Sequence, residues 1–319
     1  MRAIPLLTLL LGGWFVVPAH ADEAQDWLTR LGQAEQQQSF HGTFVYERNG
    51  SFSTHNIWHR VQDGKVRERL LQLDGSAQEV VRIDGHTQCV SGTLIAGLGD
   101  SPNSAARALD PQKLKNWYDL AVIGKSRVAG RAAVIVSLTP RDQHRYGFEL
   151  HLDKETGLPL KSLLLNDKGQ LLERFQFTQL DTDDVPSDRD LLAGPDCKAL
   201  AVDTDKATAL KTAEAWHSDW LPPGFELSSS SSRKDPETKT QVSSLMYDDG
   251  LARFSVFLEP LNGATVTDTR TQLGPTVAVS RRLTTPQGEM MVTVVGEIPI
   301  GTAERIALSM RTNAATAKQ

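Results

Sequence analysis

The chain has 319 residues, 39% of them apolar, with 34 basic and 39 acidic side chains, a formal net charge of −5 and two cysteines. That apolar share supports ordinary cores and excludes wholesale disorder, while the mild acidic excess lacks the clustered basic face that nucleic-acid binding demands. The length exceeds one typical domain and falls short of three, which predicts two.

Met1 and Arg2 precede an apolar run from Ile4 to Val17, closed by Pro18 and Ala19-His20-Ala21. A charged start, an apolar core of roughly 14 residues and an Ala-x-Ala close read as a secretory signal peptide, so residues 1–21 are expected to be removed on export. The run is shorter than the roughly 20 residues of a spanning helix. Asp22, not Cys, follows the expected cut, which argues against an N-terminal lipid anchor.

Asp26 to Gln37 sets Trp27, Leu28, Leu31 and Ala34 at helical spacing and predicts a short amphipathic helix. Phe40 to Arg48 and Ser51 to Val61 flank Asn49-Gly50, a hairpin signal because both turn positions favour φ > 0. Asp63-Gly64, Asp74-Gly75 and Asp84-Gly85 extend this into a meander of antiparallel strands. Residues 91–110, rich in Gly, Ser, Asn and Ala, read as a loop before a short helix near Pro111 to Trp117. Strands resume at Ala121 to Val128, Ala132 to Thr139, Tyr146 to Asp153, Leu160 to Asn166 and Gln170 to Leu180.

Residues 181–212 turn acidic, then Ala-, Asp- and Lys-rich, with little to bury. They contain the expected interdomain linker, set at 196–212 between a first domain, 22–195, and a second, 213–319. Trp216, Trp220 and Pro222-Pro223-Gly224-Phe225 open the second unit, and Ser228 to Ser232 reads as an exposed edge or loop. After Asp248-Asp249-Gly250, Leu251 to Leu261 alternates apolar and polar residues as a half-buried strand does. Strands at Thr276 to Leu283 and Glu289 to Gly296 and a helix at Gly301 to Arg311 complete the pattern.

Catalytic and metal signatures are sparse. His55 and His59 form an HxxxH pair without the zincin glutamate. On a strand, positions i and i+4 lie about 13 Å apart by rise per residue, too far to share one zinc, so both read as packed or exposed strand histidines. His144 and His151 are equally isolated. The chain lacks a GxSxG elbow, a P-loop and a GxGxxG turn, so neither enzyme chemistry nor a cofactor or metal is expected. Cys89 and Cys197 are too far apart for a CxxC motif. In an oxidising compartment they are expected to pair as a disulfide, the alternative being two buried thiols.

Counting outward from a two-residue turn at Asn49-Gly50 pairs Arg48 with Ser51. Phe40, Phe44, Tyr46, Ile57, His55 and His59 then share one face, with Val45, Phe52 and Trp58 on the other. Leu70-Leu71, Val80-Val81, Leu163-Leu164-Leu165, Leu171-Leu172, Phe175 and Phe177 repeat this two-sided character. Either other parts of the chain cover both faces, or a curved sheet keeps an apolar hollow. A hollow suits an acyl chain, because each buried methylene contributes about 0.8 kcal/mol without a directional partner.

Gly42 to Gly50 (GTFVYERNG), Arg67 to Gly75 (RERLLQLDG), Tyr146 to Phe177, Trp220 to Phe225 (WLPPGF) and Gly250 to Phe257 (GLARFSVF) resemble the RseB/MucB family of periplasmic regulators of envelope-stress sigma factors, among them the alginate-type. The resemblance spans nearly all of the mature chain. It implies an α+β fold, with an N-terminal LolA/LolB-like incomplete antiparallel β-barrel packed on helices and a smaller C-terminal α+β domain. It also implies a non-enzymatic protein of the periplasm that binds the periplasmic domain of a membrane-spanning, MucA/RseA-like anti-sigma factor and protects it from proteolysis. Lipopolysaccharide or another acylated amphiphile is the expected releasing ligand. A periplasmic lipid or lipoprotein carrier is the alternative, and self-association as a homodimer is left open.

Carried onto this chain, the resemblance makes Phe44, Trp58, Leu71, Val81, Leu164, Phe175 and Phe177 the expected lining of the hollow. Trp220, Phe225, Phe254, Phe257, Arg281 and Arg282 become the expected partner contacts, since exposed aromatics and Arg dominate interface energetics; Trp220 and Phe225 have domain core as their alternative. Two ligands that prefer different domain arrangements would each weaken the other by the same factor, with the linker as hinge.

Overall fold

The computed structural model describes residues 20–76, 78–91, 109–199, 215–234, 240–286 and 288–313. Most of the expected signal peptide, the loop at 92–108 and linker residues 200–212 lie outside the described residues.

Helix α1 (His20–Gln37) opens the described chain, two residues before the expected cut, and buries Ala24, Trp27, Leu28 and Leu31. Strands β1 (Phe40–Arg48), β2 (Ser51–Gln62), β3 (Lys65–Gln72), β4 (Glu79–Ile83) and β5 (His86–Val90) follow as a meander. The first turn takes φ of 52° at Asn49 and 74° at Gly50, so Arg48 pairs with Ser51 in the register that a two-residue turn requires. Asp110 caps helix α2 (Pro111–Leu114), its carboxylate accepting from the backbone N–H groups of Gln112 and Lys113. Then come β6 (Tyr118–Val128), β7 (Arg131–Pro140), β8 (Gly147–Asp153), β9 (Pro159–Leu165), β10 (Leu171–Asp181) and β11 (Lys198–Ala199).

These strands form one open antiparallel sheet of 11 strands in the order β11-β5-β4-β3-β2-β1-β10-β9-β8-β7-β6. It is an incomplete barrel with α1 laid against β6 and β7. Leu28 and Leu31 of α1 pack with Tyr118, Leu120, Val136, Leu138 and Leu152 at that end of the sheet. Phe40, Phe44, Leu70, Val80 and Phe177 make a second cluster on the same face, over β1 to β4 and β10.

The smaller domain contains β12 (Trp216–Ser218), β13 (Glu226–Lys234), β14 (Gln241–Asp248), β15 (Arg253–Pro260), β16 (Thr269–Leu273), β17 (Thr276–Thr285), β18 (Gly288–Gly296), α3 (Ile300–Ser309) and β19 (Met310–Thr312). Its antiparallel sheet of 6 strands runs β13-β14-β15-β18-β17-β16, while β12 pairs with β19. Helix α3 packs on β17 and β18. Its Ala303, Ile306 and Ala307 join Phe254, Val256, Leu258, Val277, Val279, Val292 and Val294 in one core. The alternation along Leu251 to Leu261 produced this core face, and the serine run became edge strand β13. Strand β16 has no counterpart in the sequence reading, because all five of its residues are exposed and carry no apolar alternation.

The expected linker begins later than its composition suggested. Residues 182–199 lie against the first sheet instead of spanning between domains. Pro186 O accepts from Arg60 Nη1 (3.2 Å), Asp190 O from Arg69 Nη1 (3.1 Å), and Gly194 N donates to Glu79 Oε2 (2.9 Å). Lys198 and Ala199 pair with Val90 and Cys89, and Cys197 is joined to Cys89 in a disulfide with a Cα separation of 5.4 Å. The segment is a strap that crosses β2, β3 and β4 and is fastened to β5.

Candidate functional site

Three places gather most of the expected functional side chains, namely the helix-bearing face of the large sheet, the strapped outer face and the joint between the domains, while Phe254, Phe257, Arg281 and Arg282 lie within the small domain. On the helix-bearing face, Phe44 sits opposite His55 on β2 and Phe177 on β10, and Phe40 sits opposite His59. The imidazoles act as flat packing partners: His59 stacks on Phe40 at 4.7 Å and His55 on Phe44 at 5.1 Å between centroids. Phe175 packs 4.6 Å from Phe44, and Phe177 lies edge-on to Phe40, Phe44 and Phe175. Burial holds His55 below the ordinary imidazole range, with the Asp74 carboxylate pulling the other way.

Phe44, Phe177 and Leu164 are buried within this face. The rings of Phe44 and Phe177 pack edge to face, 5.9 Å between centroids. Phe175, Tyr46, Ile57 and Leu180 remain half-buried at its margin. Trp58, Leu71 and Val81, expected to line the same hollow, point the opposite way. Strand register puts Trp58 beside Arg69 and Arg69 beside Val81, and sets Leu71 beside Glu79. Side chains one residue apart on a strand take opposite faces, and this set faces the strap. Arg69 lies over the Trp58 ring at 5.1 Å and donates to Glu79 Oε1 at 2.6 Å. The two-sided apolar pattern therefore arises because the end of the domain returns across its own outer face.

The domains meet around Arg145. Its guanidinium, fully shielded from solvent, reaches the equally shielded Asp249 carboxylate at 2.5 Å, Asp142 Oδ2 at 3.0 Å and Pro223 O at 2.5 Å. Trp117, Tyr118 and Phe225 present rings 5.7, 5.6 and 5.1 Å from its central carbon. Asp249 also accepts from the backbone N–H groups of Leu251 and Ala252, yet burial still holds its carboxyl above the usual range. Gly224 adopts φ of 87°, and a Cβ there would sit 2.2 Å from Trp117, so this close approach excludes any other residue. Tyr146 donates to Ile298 O (3.2 Å) and Lys113 pairs with Glu226 (3.1 Å).

A second bridge leaves the hairpin tip, where Arg48 reaches Glu297 (3.2 Å) and donates to Thr276 Oγ1. Behind it, Tyr46 donates to Glu173 Oε2 at 2.5 Å, and Glu173 lies 3.8 Å from Arg48. The sequence reading takes Asp249 only as part of a turn and passes over Arg145, one residue before the expected strand at Tyr146. A charged residue flanked by aromatics was the available signal, but its partner is 104 residues away.

Among the expected partner contacts, Phe225 and Phe254 belong to the small-domain core. The alternation that places Val256 and Leu258 inward does the same to Phe254, so neither ring is free for a partner. Trp220 is half-buried at the joint, between Arg305 at 3.8 Å and His144 at 5.0 Å. Arg281 is engaged by Glu304 of α3 and by Asp268. Phe257 and Arg282 lie on the sheet face away from α3, Phe257 opposite Thr293 and Thr293 opposite Ser280. Among the described residues no three His, Cys, Asp or Glu side chains converge as a metal site, and no helix is long and apolar enough to cross a membrane.

Residues 23–197 match the MucB/RseB N-terminal domain, and residues 210–311 match the MucB/RseB C-terminal domain. The sigma factor AlgU regulatory protein MucB of Pseudomonas aeruginosa is 63% identical over 320 aligned positions, covering 100% of both chains. The sigma-E factor regulatory protein RseB of Escherichia coli K12 is 29% identical, covering 90% of each. Among solved structures, the P. aeruginosa MucA/MucB complex is 62% identical and covers 92% of this chain and 100% of that one, with a TM-score of 0.81. A second complex, of MucB with MucA(peri), has the same identity and coverage and a TM-score of 0.79. A MucB structure described without MucA is 59% identical and covers 92% of this chain and 98% of that one, with a TM-score of 0.70.

Proposed function

The chain belongs to the MucB/RseB family, and from that premise we propose that it is a periplasmic negative regulator of an alginate-type envelope-stress sigma factor. It binds the periplasmic domain of the membrane anti-sigma factor and shields it from proteolysis. The observation that carries this reading is full-length likeness to a sigma-factor regulator, together with a superposition that is better on the two MucA-bound structures than on the one described without MucA. The partner docks on the small-domain sheet face that α3 leaves uncovered, where Phe257 and Arg282 offer an aromatic and a cation.

The amphiphile half of the reading rests on the aromatic face. An acyl chain enters at the half-buried margin of Tyr46, Ile57, Phe175 and Leu180 and has to displace Phe175 to go deeper. Tyr46 is bonded to Glu173, which sits beside the Arg48 bridge to the small domain, so filling this margin strains a contact between the domains. That linkage favours a sensor over a simple carrier, which needs no second domain.

Calorimetric titration of the mature chain with the periplasmic anti-sigma segment tests the partner half. Wild type is expected to bind and to slow proteolysis of the segment, and Phe257→Asp combined with Arg282→Glu is expected to weaken binding at least about tenfold. Unchanged affinity in that variant would move the partner to another surface.

A further inference from the structure

The outer face of the large sheet carries a cleft of about 440 Å³ between the β2–β3 hairpin and the strap, lined by Arg60, Asp63, Lys65, Arg67, Ile83 and Asp188. Its volume falls in the range of small-molecule sites, about 300 to 1,000 Å³. It is separate from the aromatic face and from the domain joint. Neither the partner nor the acyl-chain reading uses it.

Three cations meet two carboxylates here, and their geometry is uneven. Arg60 is 8% exposed, held by Pro186 O and by Asp188 Oδ1 at 2.6 Å, and its Nε has no hydrogen-bond partner among the described residues. Arg67 reaches the same Asp188 oxygen only at 3.9 Å and is half exposed. Lys65 is exposed at the start of β3. Asp188, by contrast, is a strap residue whose side chain is 83% exposed. An exposed carboxylate from the strap thus occupies the point where two guanidinium groups converge, with one oxygen shared between them.

We propose that this cleft binds a phosphate monoester group, which takes the place of the Asp188 carboxylate. A carboxylate offers two oxygens and one charge. A phosphate monoester offers three oxygens and close to two charges, enough to engage Arg60, Arg67 and Lys65 together, and guanidinium forks match phosphate in a bidentate manner. Asp63 lines the cleft as well and opposes the anion, so site charge is +1 with Asp188 seated and +2 once it swings out, counting the lining residues. A soluble ester and a lipid headgroup present the same phosphate chemistry to this cleft, and the two arms of the test separate them.

The test uses the mature full-length chain with glycerol 3-phosphate in one arm and, in the other, phosphatidylcholine vesicles doped with phosphatidic acid, against phosphatidylcholine alone. Saturable binding in the first arm assigns a soluble ester, and binding only to the doped vesicles assigns a headgroup. In either case Lys65→Ala with Arg67→Ala, both at exposed positions, is expected to weaken binding at least about tenfold. Asp188→Asn, which removes the competing carboxylate, is expected to tighten it severalfold. Absence of binding in both arms, a Lys65/Arg67 double variant that binds as tightly as wild type, or an Asp188→Asn variant without gain would each overturn the assignment. Circular dichroism of each variant separates loss of the site from loss of the fold.

Discussion

Arg145 shows what a single side chain does when its neighbours come from distant parts of the chain. Its ion pair with Asp249 is shut off from solvent, and a buried pair of this kind is weak evidence for net stability, yet removing one member strands the other charge. Arg145→Met is therefore expected to destabilise the protein by about 3 to 5 kcal/mol, while Arg145→Met with Asp249→Leu recovers most of that loss. Denaturant midpoints across this double-mutant cycle measure both terms, and a single variant within about 1 kcal/mol of wild type would show the pair to be solvated. His55 makes a second, pH-dependent prediction. Its folded pKa lies below the ordinary 6.5 because burial disfavours the imidazolium. The unfolded chain thus takes up the proton first, and stability is full above 6.5 and declines as pH falls from there through the lowered folded value. His55→Phe, which preserves the stack on Phe44, is expected to flatten that decline in urea titrations between neutral and mildly acidic pH.

At the scale of elements, local chemistry was legible and long-range covering was not. Asn49-Gly50, Asp63-Gly64 and Asp84-Gly85 adopt the positive φ angles their composition calls for, and the turn at Asn49-Gly50 alone fixes the β1–β2 register and its two faces. That register already separated Phe44 from Trp58, so a hollow lined by both was inconsistent with strand parity. The strap was invisible because its polar residues look like linker until their backbone carbonyls are seen on Arg60 and Arg69. Strand β16 was invisible for a related reason, since an exposed polar edge has no burial pattern to read. The domain joint depends on Arg145, Asp249 and Gly224, three residues with ordinary local roles and a shared tertiary one. The strap makes its own prediction. Joining Cys89 to Cys197, residues separated by 108 positions, constrains the unfolded chain by about 4 to 5 kcal/mol in the loop-entropy account. Cys197→Ser is expected to lower the denaturant midpoint accordingly and to expose the strap to limited proteolysis near Val185 and Leu192, two exposed apolar side chains. A midpoint unchanged by reduction would remove the disulfide from the stability of this domain.

For the whole molecule, the aromatic face, the hairpin-tip bridge and the small domain form one connected path. Phe175 touches Phe44 on one side, and its strand carries Glu173, which holds Tyr46 beside Arg48. Arg48 in turn grips Glu297 and Thr276 of the small domain. Under the proposed function, a ligand that spreads the aromatic margin and a partner that seats on the small domain would prefer different domain arrangements, and each would then lower the other's affinity by one common factor. Such couplings run about 5- to 150-fold. The most direct test is the dissociation constant of the periplasmic anti-sigma segment, measured with and without saturating acylated lipid on the same mature chain. The account predicts a weakening of at least about fivefold with lipid, abolished by Phe175→Glu. An affinity that is the same in both conditions, with lipid shown to be bound, would contradict it.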